Sequence, residues 1–143
     1  MSMFVKNKTP LHFPPIGGVL CLLFVLGLAA CARTPDQQVV HDLEEALTDL
    51  YEEADVDAYM QRLDFGSPLD SVHYALYSEV IRQQLQREGH EQKVVSWRVS
   101  EVNFQHDTLA MVFYTLYLAN GDSLCKGQQM VCADGEWKLR MKD

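Results

Sequence analysis

The spacing of apolar residues changes at Gly89, and a chain that carries both spacings must pair helices with a sheet. Before that point Val39, Val40, Leu43, Leu47, Leu50 and Tyr51 recur every three or four residues between Gln37 and Ala54. Glu44, Glu45, Asp49, Glu52 and Glu53 fill the rest of that wheel, which predicts an amphipathic helix. Asp55 and Asp57 bracket the start of a shorter helix bearing Val56, Tyr59, Met60 and Leu63. A carboxylate ahead of a helix caps free amides, so this pair needs no metal to explain it. Phe65-Gly66 closes that element, and Ser67 as N-cap with Pro68 in the first turn predicts a third helix. Its apolar face would be Leu69, Val72, Leu76, Val80, Ile81 and Leu85.

Beyond Gly89, residues 93–104 are rich in β-branched and aromatic types, and 105–108 offer a turn. Asn120-Gly121 and Asp134-Gly135 are two-residue hairpin signals, because a type I′ turn needs positive φ at both central positions. Together they predict antiparallel strands at 109–119, 122–133 and 136–142 beside a preceding strand, a curved meander of about four strands.

Trp137, Leu139 and Met141 alternate with Glu136, Lys138, Arg140 and Lys142, so the apolar set must face inward. Pairing through Asp134-Gly135 adds Cys132, Met130 and Gln128 to that face, and pairing through Asn120-Gly121 adds Leu109, Met111, Phe113, Thr115 and Tyr117. Polarity rises toward Thr115, Lys126 and Gln128, as it would where a core opens into a cavity or a sheet edge meets solvent. The opposite face would carry Val112, Tyr114, Leu116 and Leu118 with Cys125 and Val131. That second apolar surface implies a homodimer or an envelope protein partner, unless the sheet curls under the N-terminal helix or linker.

The N-terminus is of a different kind. Lys6 and Lys8 precede an uncharged apolar run from Ile16 to Ala30, shorter than the about 20 residues of a membrane span. Leu28-Ala29-Ala30-Cys31 resembles the lipobox of bacterial lipoproteins. The resemblance implies cleavage before Cys31, a diacylglyceryl thioether on its sulfur and acylation of the new amino end, so that membrane lipid is a partner. Several acyl chains, each worth about 0.8 kcal/mol per buried methylene, would make retention in the envelope stable. Ala32 rather than Asp after the cysteine favours the outer membrane in a Gram-negative cell. The chain then divides into a leader at 1–30, a lipidated cysteine and short linker at 31–38, and one domain at 39–143.

All twenty acidic residues follow Cys31, so the mature part is more acidic than the net charge of −8 of the whole chain. With no Lys/Arg cluster either, nucleic acid is excluded as a partner. Cys125 and Cys132 on one extended strand would stand about 23 Å apart and face opposite sides, so no disulfide is expected unless Lys126-Gly127 folds the strand back. His41, His73, His90 and His106 lack ligand spacing, and neither a metal nor a cofactor is called for.

Helices followed by a long meander ending in Asp134-Gly135-Glu136-Trp137-Lys138-Leu139 are similar to the cone-shaped α+β fold of the nuclear transport factor 2-like superfamily, also called cystatin-like. They are similar in particular to its small bacterial lipoproteins of unknown function. The fold hosts isomerases, dehydratases and binding modules alike, so it selects no activity. An enzyme of this kind would need a polar constellation inside an apolar cone. Tyr59, Tyr77, Phe113, Tyr117, Gln128 and Trp137 are the residues expected to line such a pocket. None matches a catalytic motif, and His73 with Tyr77 reads as a packed pair with polar tips in water. The sequence therefore points to a lipid-anchored binding or scaffolding domain without catalysis, with a cone-type isomerase or hydratase of small apolar molecules as the alternative.

Overall fold

The computed structural model describes residues 33–141. The expected leader, the Leu28-Ala29-Ala30-Cys31 motif and the expected acylation site at Cys31 lie outside them. The first described helix starts inside the stretch expected to be a linker. Gln37 N donates to Thr34 Oγ1 at 3.3 Å and Thr34 N donates to Gln37 Oε1 at 3.1 Å. This reciprocal cap, with Pro35 in the first turn, starts helix α1 at Pro35–Leu47. Its buried face is Val39, Leu43, Ala46 and Leu47. The helix does not run to Ala54 as its spacing suggests: the backbone widens into a π turn at Thr48–Glu52 and leaves through Ala54 at φ 51°.

Asp55 caps helix α2, Val56–Gln61, by accepting from Ala58 N at 3.0 Å, as expected. Asp57 instead accepts from Arg82 Nη2 at 3.1 Å. Strand β1, Leu63–Asp64, is too short for any periodicity to show and was not expected. Helix α3 is Ser71–Arg87 and its N-cap is Asp70, not Ser67. Asp70 Oδ1 accepts from Val72 N at 3.0 Å and His73 N at 2.9 Å, satisfying two amides where Ser67 would satisfy one. The inner face of α3 is Tyr74, Ser78, Ile81 and Leu85, while Val72, Leu76 and Val80 point outward at 73 %, 59 % and 54 % exposure. Apolar residues lie on both faces of this helix, so of the face expected from spacing Leu69, Ile81 and Leu85 pack on the core while Val72, Leu76 and Val80 do not.

The Asp70 cap is pH-dependent. The amide of His73, then its ring at 2.7 Å, hold the Asp70 carboxyl below its ordinary value. A depressed carboxyl contributes stability above its unfolded pKa and loses that contribution as pH falls through the folded one. Relative to intrinsic exchange, protection at Val72 and His73 should therefore be lost in Asp70→Ala at neutral pH, be partly kept in Asp70→Asn, and weaken to the Asp70→Asn level in the native chain only below the ordinary carboxylate range.

Strands β2 (Val94–His106), β3 (Leu109–Leu118), β4 (Ser123–Ala133) and β5 (Glu136–Arg140) complete a five-stranded sheet of order β1-β5-β4-β3-β2. Only β1 runs parallel to its neighbour, joined by Leu139 N to Arg62 O and Met141 N to Asp64 O, both at 2.8 Å. The β4–β5 turn is the expected one. Asp134 and Gly135 have φ of 54° and 78°, Ala133 faces Glu136, and Met130 pairs Leu139 as Cys132 pairs Trp137.

The β3–β4 turn is not. Gly121 has φ 88° but Asn120 is not left-handed, Tyr117 faces Ser123, and Leu118 N donates to Asp122 O at 2.9 Å. The loop is three residues, Ala119-Asn120-Gly121, one more than a type I′ turn holds. A slip of one residue sends every side chain of β3 to the other face. Ala110, Val112, Tyr114 and Leu116 are buried in the core with Met130 and Leu139, so Val112, Tyr114 and Leu116 form no outer interface. Leu118 is half-buried against the same core. Phe113 and Tyr117, expected in a pocket, lie on the far face at 40 % and 38 % exposure. Phe113 reaches across to Gly127, where an added Cβ would come within 3.2 Å of its ring. Val131 and Cys125 keep the outer positions expected of them, Val131 half-buried opposite Leu109 and Cys125 exposed opposite Thr115. Strand β4 runs through Lys126-Gly127 without folding back, and Cys125 and Cys132 are both free.

Candidate ligand-binding site

A cavity of about 200 Å³ opens between the π turn, α2 and α3. Leu50, Leu63, Ile81, Leu85 and Met141 give it apolar walls. Its polar groups are Tyr51, Tyr59, Gln84 and Glu88. Each is placed by its own element. The π turn carries Tyr51 beside Trp97, ring centroids 6.5 Å apart, and such irregular turns recur where a helix serves a site. Tyr59 projects from α2 between buried Val56 and Met60. Gln84 and Glu88 are four residues apart at the end of α3 and so share a face, with Glu88 N donating to Gln84 O at 3.1 Å.

Burial dominates the electrostatics here. It raises the Tyr59 phenol to about 12, with help from Tyr114. It raises Tyr51 further, assisted by Tyr59, Tyr114 and the charge of Glu88. Tyr114, buried in the neighbouring core, moves the same way for the same reason. Loss of hydration also lifts the Glu88 carboxyl. All three phenols are thus neutral at physiological pH. Among the described residues, no protein group hydrogen bonds to the hydroxyl of Tyr51 or Tyr59, and no basic side chain lies within ion-pair distance of Glu88. The site holds donors and acceptors that the protein itself does not use.

Of the six residues expected to line a pocket, the structure brings only Tyr59 here. Tyr77 stands 41 % exposed, its ring 5.1 Å from that of Phe65, while the His73 ring turns to Asp70 instead of packing on it. Gln128 is tied to the sheet, donating to Gln129 O and Arg140 O at 2.9 and 3.0 Å. Trp137 is core, edge-on to Phe104 at 5.8 Å. Phe113 and Tyr117 lie on the far face, as described. Tyr51, Gln84 and Glu88 were missed. The four-residue spacing of Gln84 and Glu88 was a usable signal, whereas Tyr51 was hidden in an apolar stripe.

A second cluster, His41, Asp42 and Glu45, brings ligand atoms within 4.8 Å of one another. Its oxygens are already engaged. Asp42 accepts from Gln38 Nε2 at 2.8 Å and Trp137 N at 2.9 Å, and Glu45 binds Arg62 at 2.8 Å and His41 at 3.0 Å. Arg62 also reaches Asp49 at 3.2 Å. This cluster fastens α1 and the π turn to the sheet.

No protein-family model and no curated protein matches the chain. Solved structures do resemble it. A Campylobacter jejuni protein described as a proposed NTF2-like transpeptidase superposes with a TM-score of 0.54 at 18 % identity, over 71 % of this chain and 97 % of its own. A domain of unknown function with a cystatin-like fold from Nostoc punctiforme gives 0.53 at 11 % identity, over 76 % of this chain and 75 % of its own. The chain has this NTF2-like, cystatin-like α+β fold. At such identities the likeness extends to fold alone.

Proposed function

We propose that this protein is a lipoprotein of the bacterial cell envelope, held by acylated Cys31, whose folded domain binds a small molecule in the cavity of Tyr51, Tyr59 and Glu88 without transforming it. The pocket carries the binding reading: an apolar chamber with unengaged phenols and a carboxyl at its rim is the usual form of a small-ligand site. Its volume lies below the about 300–1,000 Å³ of drug-sized pockets, which suits a small ligand. The anchoring reading rests on the lipobox-like Leu28-Ala29-Ala30-Cys31. Among the described residues no helix is long and apolar enough to cross a membrane.

Positioning supports the reading without catalysis. General acid–base work needs a group oriented by a partner within hydrogen-bond reach of the reacting proton. Glu88, Tyr51 and Tyr59 have no such orienting partner among the described residues. A cone-type isomerase or hydratase remains the second reading, favoured by the raised carboxyl of Glu88 beside two neutral phenols.

Anchoring is tested in the native host. Cys31→Ser should abolish incorporation of a labelled fatty acid and release the chain from the membrane fraction, and an unlabelled native chain with its leader intact would overturn it. Ligand binding is tested on the full-length chain in a maltoside detergent, with choline and its neutral isostere 3,3-dimethylbutan-1-ol as probes. Methyl resonances of Ile81 and Leu85 should shift saturably, and Ile81→Trp, which fills the cavity, should remove the response. No saturable shift with either probe would overturn the binding reading.

A further inference from the structure

Resting on that reading of the pocket, we propose that its ligand is a small organic cation, a quaternary or protonated amine, held between the rings of Tyr51 and Tyr59 and the carboxylate of Glu88. Several independent observations converge on this class. Among the described residues Glu88 is the only charged side chain lining the cavity. Among the described residues no Lys or Arg lines it, so a carboxylate or phosphate ligand would meet a like charge there and no described counter-ion. Arg82 is committed to Asp57, and Arg87 lies with Glu88 on a separate outer groove without coming within ion-pair distance of it. A half-buried carboxylate without a cation has lost hydration and gained nothing in exchange, and a bound cation supplies what is missing.

The aromatic walls point the same way. Two phenol rings from different elements, Tyr51 and Tyr59, face one cavity. The negative π faces of such rings, grouped in cages, recognise quaternary ammonium groups. Leu50, Ile81 and Leu85 add surface for the alkyl part of the ligand, and Gln84 offers an amide to a hydroxyl or carbonyl on it. The net charge of −8 of the whole chain raises the local concentration of cations over that of anions. The cavity, at about 200 Å³, admits a compact amine but no large one.

The test compares choline with 3,3-dimethylbutan-1-ol, which replaces the charged nitrogen by carbon at nearly the same shape. Both are titrated into the full-length chain in maltoside. Choline should bind about tenfold or more tightly than the alcohol, and Glu88→Gln should erase most of that difference while leaving the alcohol unchanged. Among the described residues the Glu88 side chain has no hydrogen-bond partner, so Glu88→Gln should melt with the native chain. Equal affinity for the two probes, or choline binding indifferent to Glu88→Gln, would overturn the cation proposal. If Ile81→Trp or Leu85→Phe then abolishes both signals, the pocket reading survives. If neither substitution affects them, it falls as well.

Discussion

Leu116→Asp is expected to unfold the domain, whereas Tyr117→Asp, one position further along β3, leaves it folded. Leu116 is 2 % exposed and sits in the core with Val112, Met130 and Leu139, while Tyr117 stands on the far face of the sheet. Emptying a buried leucine site by itself costs about 2–5 kcal/mol. An unpaired carboxylate in the space adds a desolvation penalty that a domain stable by about 5–15 kcal/mol does not withstand. Tyr117→Asp removes a partly exposed ring and places its charge in water, for a loss of about 1 kcal/mol or less. Urea unfolding and near-ultraviolet circular dichroism distinguish the two. The reverse outcome, a folded Leu116→Asp that only changes oligomeric state and an unfolded Tyr117→Asp, would restore a two-residue turn at Asn120-Gly121 and an outer interface through Leu116.

The same pair of residues shows where the fold was legible and where it was not. In β5, charged and apolar side chains alternate strictly, so one face is inner by elimination and Trp137 and Leu139 are placed correctly. In β3, Leu109, Met111, Phe113 and Tyr117 compete with Ala110, Val112, Tyr114 and Leu116, and both parities are apolar. Only the turn length decides between them, and a left-handed Gly121 serves a two-residue or a three-residue loop equally well. Helix α3 repeats the difficulty, with Val72, Leu76 and Val80 set against Tyr74, Ile81 and Leu85. The α+β class survived because it depends on the change of period at Gly89, not on which face is chosen. The site was less legible because it depends on geometry that periodicity does not encode. Tyr59 followed from its helix, but Tyr51 reaches the cavity from a π turn, which a regular 3.6-residue wheel does not describe.

Asp42→Ala should cost about 1–3 kcal/mol, although the residue does not line the ligand pocket. Asp42 is 4 % exposed on α1, and one of its oxygens accepts from the backbone N–H of Trp137 at 2.9 Å. The two residues are 95 positions apart, so this bond closes the first helix onto the last hairpin. The other oxygen takes Gln38 Nε2 at 2.8 Å, which orients the carboxylate toward the strand. Alanine leaves the Trp137 amide beneath α1 without an acceptor, and the loss is the penalty of that unmet donor in addition to the bond itself. Asp42→Asn keeps one carbonyl oxygen for Trp137 and should lose less. Equilibrium unfolding in urea gives the magnitudes, and amide exchange at Trp137 locates them: faster in Asp42→Ala, close to native in Asp42→Asn. A midpoint in Asp42→Ala equal to that of the native chain would show that water satisfies the Trp137 amide, and that α1 is held to the sheet by Val39, Leu43 and Leu47 alone. The comparison also decides the nature of the His41, Asp42 and Glu45 cluster. If these groups serve as fasteners, added zinc or magnesium raises the melting temperature of the native chain no more than that of Asp42→Ala; a metal site at Asp42 would separate the two.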